Sequence, residues 1–212
     1  ALYNREETGV GNVTFTLSYT FSQEVAGFEM DILTNGLFVG NSGQWGSALE
    51  IRDESTPVFH NLTMYGQDSD ATYPGAIYIW SNSHPEIKNS ILWNENIPEI
   101  YLSDIGTDGG VLNNVTLSYS DVQFGEDDIT GIINGGSSDF TWDDTNITGD
   151  PLFIEPEIGN FLLQDEESGS SPCIDAGDPD SPLDPDGSEI DMGAYGVIPS
   201  GCTDSQATNF DP

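Results

Sequence analysis

Positive charge is almost missing from this sequence. Arg5, Arg52 and Lys88 are the only basic side chains, set against 37 Asp and Glu, and the formal net charge is −34. Leu102 to Pro212 contains no basic residue at all. Neutralising phosphates takes clustered Lys and Arg, so nucleic acid is not an expected partner. The same argument excludes an anionic membrane surface. Long apolar runs are lacking too: none approaches the ~20 residues that cross a bilayer, so no membrane insertion is expected. Histidine and cysteine occur twice each, and neither zinc spacing nor a Ser-His-Asp order can be found, nor a phosphate-binding glycine loop. Cys173 and Cys202 leave open one disulfide or two unpaired thiols, so cysteine usage does not fix the redox compartment. Ala1 does not open a charged n-region and apolar h-region, and any secretion signal is expected to have been removed or to lie outside this sequence.

What is present argues for a folded, all-β chain. Hydrophobic residues make up 36% and aromatics 10% of 212 residues, enough for one sizeable core. The apolar residues fall in short runs divided by Gly, Asn, Asp and Pro, the punctuation of strands and turns. So acidic a surface repels itself and calls for screening by salt or bound cations, which a saline habitat, calcium binding or both would supply.

The organising feature is a repeat. Ala48-Leu-Glu-Ile-Arg52 lies over Ala76-Ile-Tyr-Ile-Trp80 at a shift of 28 residues, and the register continues without a gap. Pro57 meets Pro85, Phe59 meets Ile87, Asn61 meets Asn89, Met64 meets Leu92 and Tyr65 meets Trp93. Weaker copies match Asn35–Gly40 to Asn61–Gly66 at a shift of 26, and Asn114–Ser118 to Asn89–Trp93 at a shift of 25. Such copies are too short for the four strands of a propeller blade but suit one turn of a parallel coil. Leu49, Ile51, Ile77 and Ile79 alternate with Glu50, Arg52, Tyr78 and Trp80, so one set points inward and the other outward. Asn61 and Asn89 recur where a sharp corner needs the left-handed conformation that Asn tolerates. The expected fold is therefore all-β, a right-handed parallel β-helix over residues 34–198. Residues 1–33 read as an N-terminal β segment outside the register of the turns, a cap or a strand hairpin, with Val13, Phe15, Leu17 and Tyr19 alternating against Thr and Ser. Phe124 to Trp142, rich in Gly, Asp and Ser, reads as a long loop, followed by two last strands at 149–153 and 160–163.

The runs Pro85-Glu-Ile-Lys-Asn-Ser-Ile-Leu-Trp-Asn94, Leu117-Ser-Tyr-Ser-Asp-Val122 and Gly149-Asp-Pro-Leu-Phe153 resemble turns of bacterial secreted right-handed parallel β-helix repeat proteins. Ser171-Pro-Cys-Ile-Asp-Ala-Gly177 and Asp191-Met-Gly-Ala-Tyr-Gly196 resemble the closing motif of that group. Residues 199–212, with Gly201-Cys-Thr-Asp204, resemble the start of a short cysteine-containing C-terminal module whose second cysteine is missing, which suggests a fragment of a longer polypeptide. Val13 to Ile32, especially Val25-Ala-Gly-Phe-Glu-Met-Asp-Ile32, looks more like a strand pair from a cohesin-like sandwich than a β-helix cap. The resemblance implies a large extracellular protein, secreted or held at the cell surface, of a group mostly without assigned activity.

Three constellations compete with blander readings. Asp178, Asp180, Asp184, Asp186 and Asp191 stand on Gly- and Pro-fixed turns and together could supply the six to eight oxygens that calcium takes. The alternative is a solvated acidic loop whose carboxylates cap turns. Outward Tyr78 and Trp80, with Tyr73, could form a platform for sugar rings, although strand aromatics more often serve packing. An enzyme of the pectinase-like group, a polysaccharide lyase or glycoside hydrolase, would draw on His60 and Lys88 in one column with Arg52 nearby, or on Asp127-Asp128 or Asp143-Asp144. Adjacent acids arise by chance in so acidic a chain, and no catalytic residue is assigned. The expected function is a non-catalytic, extracellular structural or adhesive element that contacts polysaccharide and is stabilised by calcium or salt. Its open ends would favour end-to-end self-association.

Overall fold

The computed structural model describes residues 2–7, 13–18, 31–42, 46–68, 74–103, 113–132, 139–166 and 169–194. In chain order the strands are β1 (Leu2–Glu7), β2 (Val13–Ser18), β3 (Asp31–Val39), β4 (Leu49–Ile51), β5 (Val58–Tyr65) and β6 (Ile77–Ile79). There follow β7 (Glu86–Lys88), β8 (Ile91–Trp93), β9 (Ile100–Ser103), β10 (Asn114–Ser118), β11 (Asp121–Val122) and β12 (Ile129–Ile132). The last are β13 (Asp139–Trp142), β14 (Phe153–Glu155), β15 (Asn160–Leu163), β16 (Asp165–Glu166) and β17 (Gly169–Ser170).

Parallel pairing follows the repeat. Leu49, Glu50 and Ile51 sit beside Ile77, Tyr78 and Ile79, and these beside Ile100, Tyr101 and Leu102, in a four-stranded sheet ordered β12-β9-β6-β4. Phe59 pairs with Ile87 and Met64 with Leu92, the 28-residue shift of the sequence, while Phe38 pairs with Met64 at the 26-residue shift. These strands join a seven-stranded parallel sheet in which β5 bends at Asn61 and pairs with both β7 and β8. Inward columns from the two sheets enclose one apolar core, including Phe59, Met64, Ile77, Ile79, Leu92, Ile100, Leu102 and Leu117.

One register differs from expectation. Leu117 pairs with Ile87, a shift of 30 residues, so Asn114–Ser118 lies on β7 and not on the segment ending at Trp93. Apolar matching alone favoured the shorter shift. The corner decides otherwise, because Tyr119 takes a positive φ of 47° as Asn89 does at 51°, and Asp121-Val122 can then pair with Ile91-Leu92.

The chain is not a single β-helix over 34–198. The described residues form two separate parallel sheets and three two-stranded antiparallel sheets: β1 with β2, β14 with β15, and β16 with β17. The expected last strands do occur, but as a hairpin. Phe153 faces Leu163 across a short 3-10 turn at Pro156–Ile158, which Gly159 closes at φ 85°. The physical reason lies in the sequence after Asn146. No further copy of the repeat is present to receive another parallel strand, and the hairpin instead satisfies its own backbone while Phe153 and Phe161 pack edge-on against Tyr65. Nor is Phe124 to Trp142 simply a loop: β12 pairs with β9 and β13 with β10. The clue overlooked was two short runs of β-branched and aromatic residues, Ile129 to Ile132 and Phe140 to Trp142, amid turn residues. β3 straddles position 34 and pairs with β5 from Asp31 onward.

Residues 171–194 form a strap with few regular elements. It returns over the outer face of β5 and β8, where Cys173 and Met192 pack on Ile91 and Leu163 in a second buried cluster. The approach is close: a Cβ on Gly193 would lie 2.7 Å from Ile91 Cδ1 and 2.8 Å from Thr63 Oγ1, and φ there is 94°.

Candidate functional site

Most of the charged and amide side chains singled out by the sequence meet where the strap crosses the corner of the seven-stranded sheet. Asn89 holds its left-handed corner and is buried. Its Oδ1 accepts the Asp178 amide at 2.8 Å, its Nδ2 donates to Ser181 Oγ at 3.1 Å, and its carbonyl accepts the Gly193 amide at 2.8 Å. Asn61, one turn away, donates from Nδ2 to the Asp191 carbonyl at 3.3 Å. The two asparagines thus bind the strap, using the side-chain amides that their corner leaves free.

Lys88 donates to Asp178 Oδ2 at 3.0 Å, and Glu86 lies 3.6 Å away. Burial opposes the charge on Lys88, but Asp178 and Glu86 outweigh it and raise the ammonium above its usual range. Burial likewise works against an ionised Asp178. The Asp180 amide, Lys88 and His60 overcome that and hold it below the usual carboxylate range.

The other acids of the strap are also engaged. Asp184 Oδ2 accepts the Asp191 amide at 2.8 Å, and Asp191 Oδ1 accepts the Asp175 amide at 2.7 Å. Asp186 Oδ1 accepts both the amide and the hydroxyl of Ser188. Asp180 is exposed, with its amide given to Asp178. Among the described residues no three His, Cys, Asp or Glu side chains come together as metal ligands. The carboxylates of Asp178, Asp184, Asp186 and Asp191 are thus each engaged as a cap or tie.

The aromatic platform separates into unlike pieces. Tyr78 does lie on the outer side of β6, but only 2% of its surface is exposed, and it stacks on Tyr101 at 5.7 Å between centroids. Alternation gave the side but not the cover: the backbone closes over this column, so that a Cβ on Gly46 would lie 3.0 Å from Tyr78 Cβ. Trp80 is half-buried, donates from Nε1 to Glu50 at 3.1 Å and carries the Arg52 guanidinium 5.9 Å from its ring centre. Tyr73 lies outside the described residues.

The basic trio does not assemble. Lys88 is tied to the strap, whereas Arg52 follows β4 of the other sheet and sits among Glu50, Asp53 and Trp80. One acid of each adjacent pair is engaged: Asp143 accepts from Thr145 within a turn, and Asp128 accepts the Glu99 amide, 29 residues away, at 3.1 Å.

Sequence reasoning missed two buried acids. Glu99 is fully buried and accepts both the amide and the side-chain Nδ2 of Asn94, while Asn94 Oδ1 accepts the Gln67 amide at 2.7 Å. Burial pushes Glu99 well above the usual carboxylate range despite Asn94. Asp128 beside it is pushed by burial up to about 6. Asp121 is fully buried on β11; its Oδ2 accepts the Cys173 thiol at 3.2 Å and its Oδ1 has no hydrogen-bond partner. Burial raises Asp121 to about 7 against the help of Cys173 and the Gly149 amide. A usable signal existed in the sequence. At the 30-residue shift Asp121 falls in one column with Ile91 and Thr63, and a carboxyl aligned with isoleucine marks a buried acid. Glu99 similarly follows Ala48 and Ala76 in its column.

Among the described residues no helix is long and apolar enough to cross a membrane. No protein-family model, no curated protein and no solved structure matches the chain.

Proposed function

We propose that this chain is a non-catalytic structural and adhesive module of a secreted or cell-surface protein, a rigid acidic spacer that meets polysaccharide through Trp80. The observation that carries this reading is the employment of its cations. A lyase needs a free cation beside a base to hold a uronate carboxylate, and Lys88 is committed to Asp178 while Arg52 stands on another sheet. Stacked amide and hydroxyl ladders at the corners support rigidity: Ser90 Oγ accepts the Leu62 amide and Ser120 Oγ the Ser90 amide, and Asn146 Oδ1 accepts the Ser120 amide. Motif resemblance to secreted repeat proteins supports the location.

Incubation with uronate and neutral polysaccharides should release neither unsaturated products nor reducing ends; sustained turnover would sink the reading. Retention on insoluble polysaccharide should fall at least several-fold in Trp80→Ala, since a stacking contact contributes about 1 kcal/mol or more. Equal retention of both proteins would remove Trp80 as the contact. Lys88→Met should lower unfolding free energy by about 2 kcal/mol in urea titration, because Asp178 is left charged and partly buried without its cation. An unchanged midpoint would make the ion pair incidental.

A further inference from the structure

We propose that residues 171–194 act as a pH-operated strap, closed while Asp121 holds its proton and the Cys173 thiol, and released when Asp121 ionises. The argument begins with position. Asp121 lies in the outward column Thr63, Ile91, Asp121, the face that the strap covers. Its Oδ2 accepts the thiol of Cys173, a strap residue, at 3.2 Å, and Oδ1 faces a fully buried setting with no partner. A neutral carboxyl tolerates one unmade bond, whereas a carboxylate with an unpartnered buried oxygen is strongly disfavoured.

The neighbours make ionisation harder still. Ile91 of β8 lies alongside, Ile147 makes a bridge, and the carboxylate of Asp150 lies close enough to oppose a second negative charge. The Asp121 and Glu99 carboxyls repel each other when charged, and Asp191 acts on Cys173 with the same sign. Only the Cys173 thiol and the Gly149 amide favour the ionised form. Among the described residues no Lys or Arg acts on Asp121, and Lys88 is paired with Asp178.

Opening the strap would return Asp121 to water and to an ordinary carboxylate pKa. Because its closed-state pKa is raised to about 7, the closed form binds the extra proton. Closure is therefore fully favoured below the open-state pKa and is lost progressively as pH rises through about 7. The Lys88–Asp178 tie does not oppose this change, because burial notwithstanding Lys88 is shifted up and Asp178 down, away from neutrality. His60 acts on Asp178 from the neighbouring strand, so its replacement serves as the control for a second source of pH dependence.

The test uses the full chain with Cys202→Ser, so that Cys173 is its only thiol. Maleimide labelling is measured from pH 5 to 8 at fixed ionic strength and divided by the rate of the urea-unfolded chain at each pH. That ratio should rise on the order of 50-fold between pH 5 and 7 and then level off. In Asp121→Asn it should be flat, and in His60→Gln it should rise as in the parent. A flat parent ratio overturns the proposal, as does an equal rise in Asp121→Asn or loss of the rise in His60→Gln. Amide exchange of the parent covers a variant that fails to fold. The Gly193 and Ala194 amides, which tie the strap to the Asn89 carbonyl and to Thr63 Oγ1, should lose protection with the same pH midpoint while the Gln123 amide, bonded to Leu92, keeps its own. Loss at all three together would mean global destabilisation and overturn the strap.

Discussion

Asn89→Ala is expected to cost about 3 kcal/mol, the largest single loss outside the apolar core. Alanine at a φ of 51° pays about 1 kcal/mol for the left-handed conformation. The buried Asp178 amide then loses its acceptor, worth a further 1–3 kcal/mol or so, and Ser181 loses its donor. For a chain of this size that amounts to a fall of about 10 °C in the unfolding midpoint. Asn89→Gly removes the strain and keeps the lost bonds, so about 2 kcal/mol should remain. Asn61→Ala, at a φ of 54° but with a longer bond to the strap and a half-buried site, should cost less than Asn89→Ala. Urea titration of the three variants separates the causes. Equal losses at Asn61 and Asn89 would mean that corner strain, and not strap binding, sets the cost.

The second large effect is of salt. A net charge of −34 is relieved locally, among the described residues, by Lys88 with Asp178 and Glu86 and by Arg52 with Glu50 and Asp53. Screening shortens from about 30 Å at 10 mM to about 3 Å at 1 M salt, so repulsion across the molecule is largely removed over that range. The midpoint of thermal unfolding should rise on the order of 10 °C between those limits in sodium chloride. Calcium should add no more than magnesium at matched ionic strength. Asp178 is paired with Lys88, and Asp184, Asp186 and Asp191 each accept an amide, so binding an ion would cost existing bonds. A calcium-specific gain near 2.7 kcal/mol at a hundred times the dissociation constant would restore a dedicated site in the strap.

The sequence by itself determined the parallel register of β4 on β6 and of β5 on β7 and β8, because apolar residues at period two and a glycine or asparagine at each corner repeat at one spacing. It determined the left-handed corners at Asn61 and Asn89, because asparagine accepts that backbone conformation more readily than most residues. It determined the near absence of free cations, which is a matter of counting. What only the tertiary structure decided is what covers each outward face. Alternation places Tyr78 and Asp121 on outer sides, yet whether an outer side meets water depends on segments far along the chain. For Asp121 the cover comes from Cys173, 52 residues away. The end of the parallel array was likewise decided by packing, where the ring cluster of Tyr65, Phe153 and Phe161 draws the chain into a hairpin. Neither the hairpin nor the strap repeats, so periodicity could not show them. The physical reason is that a repeat specifies contacts between like residues at fixed separation, whereas closing a surface depends on unlike residues meeting once.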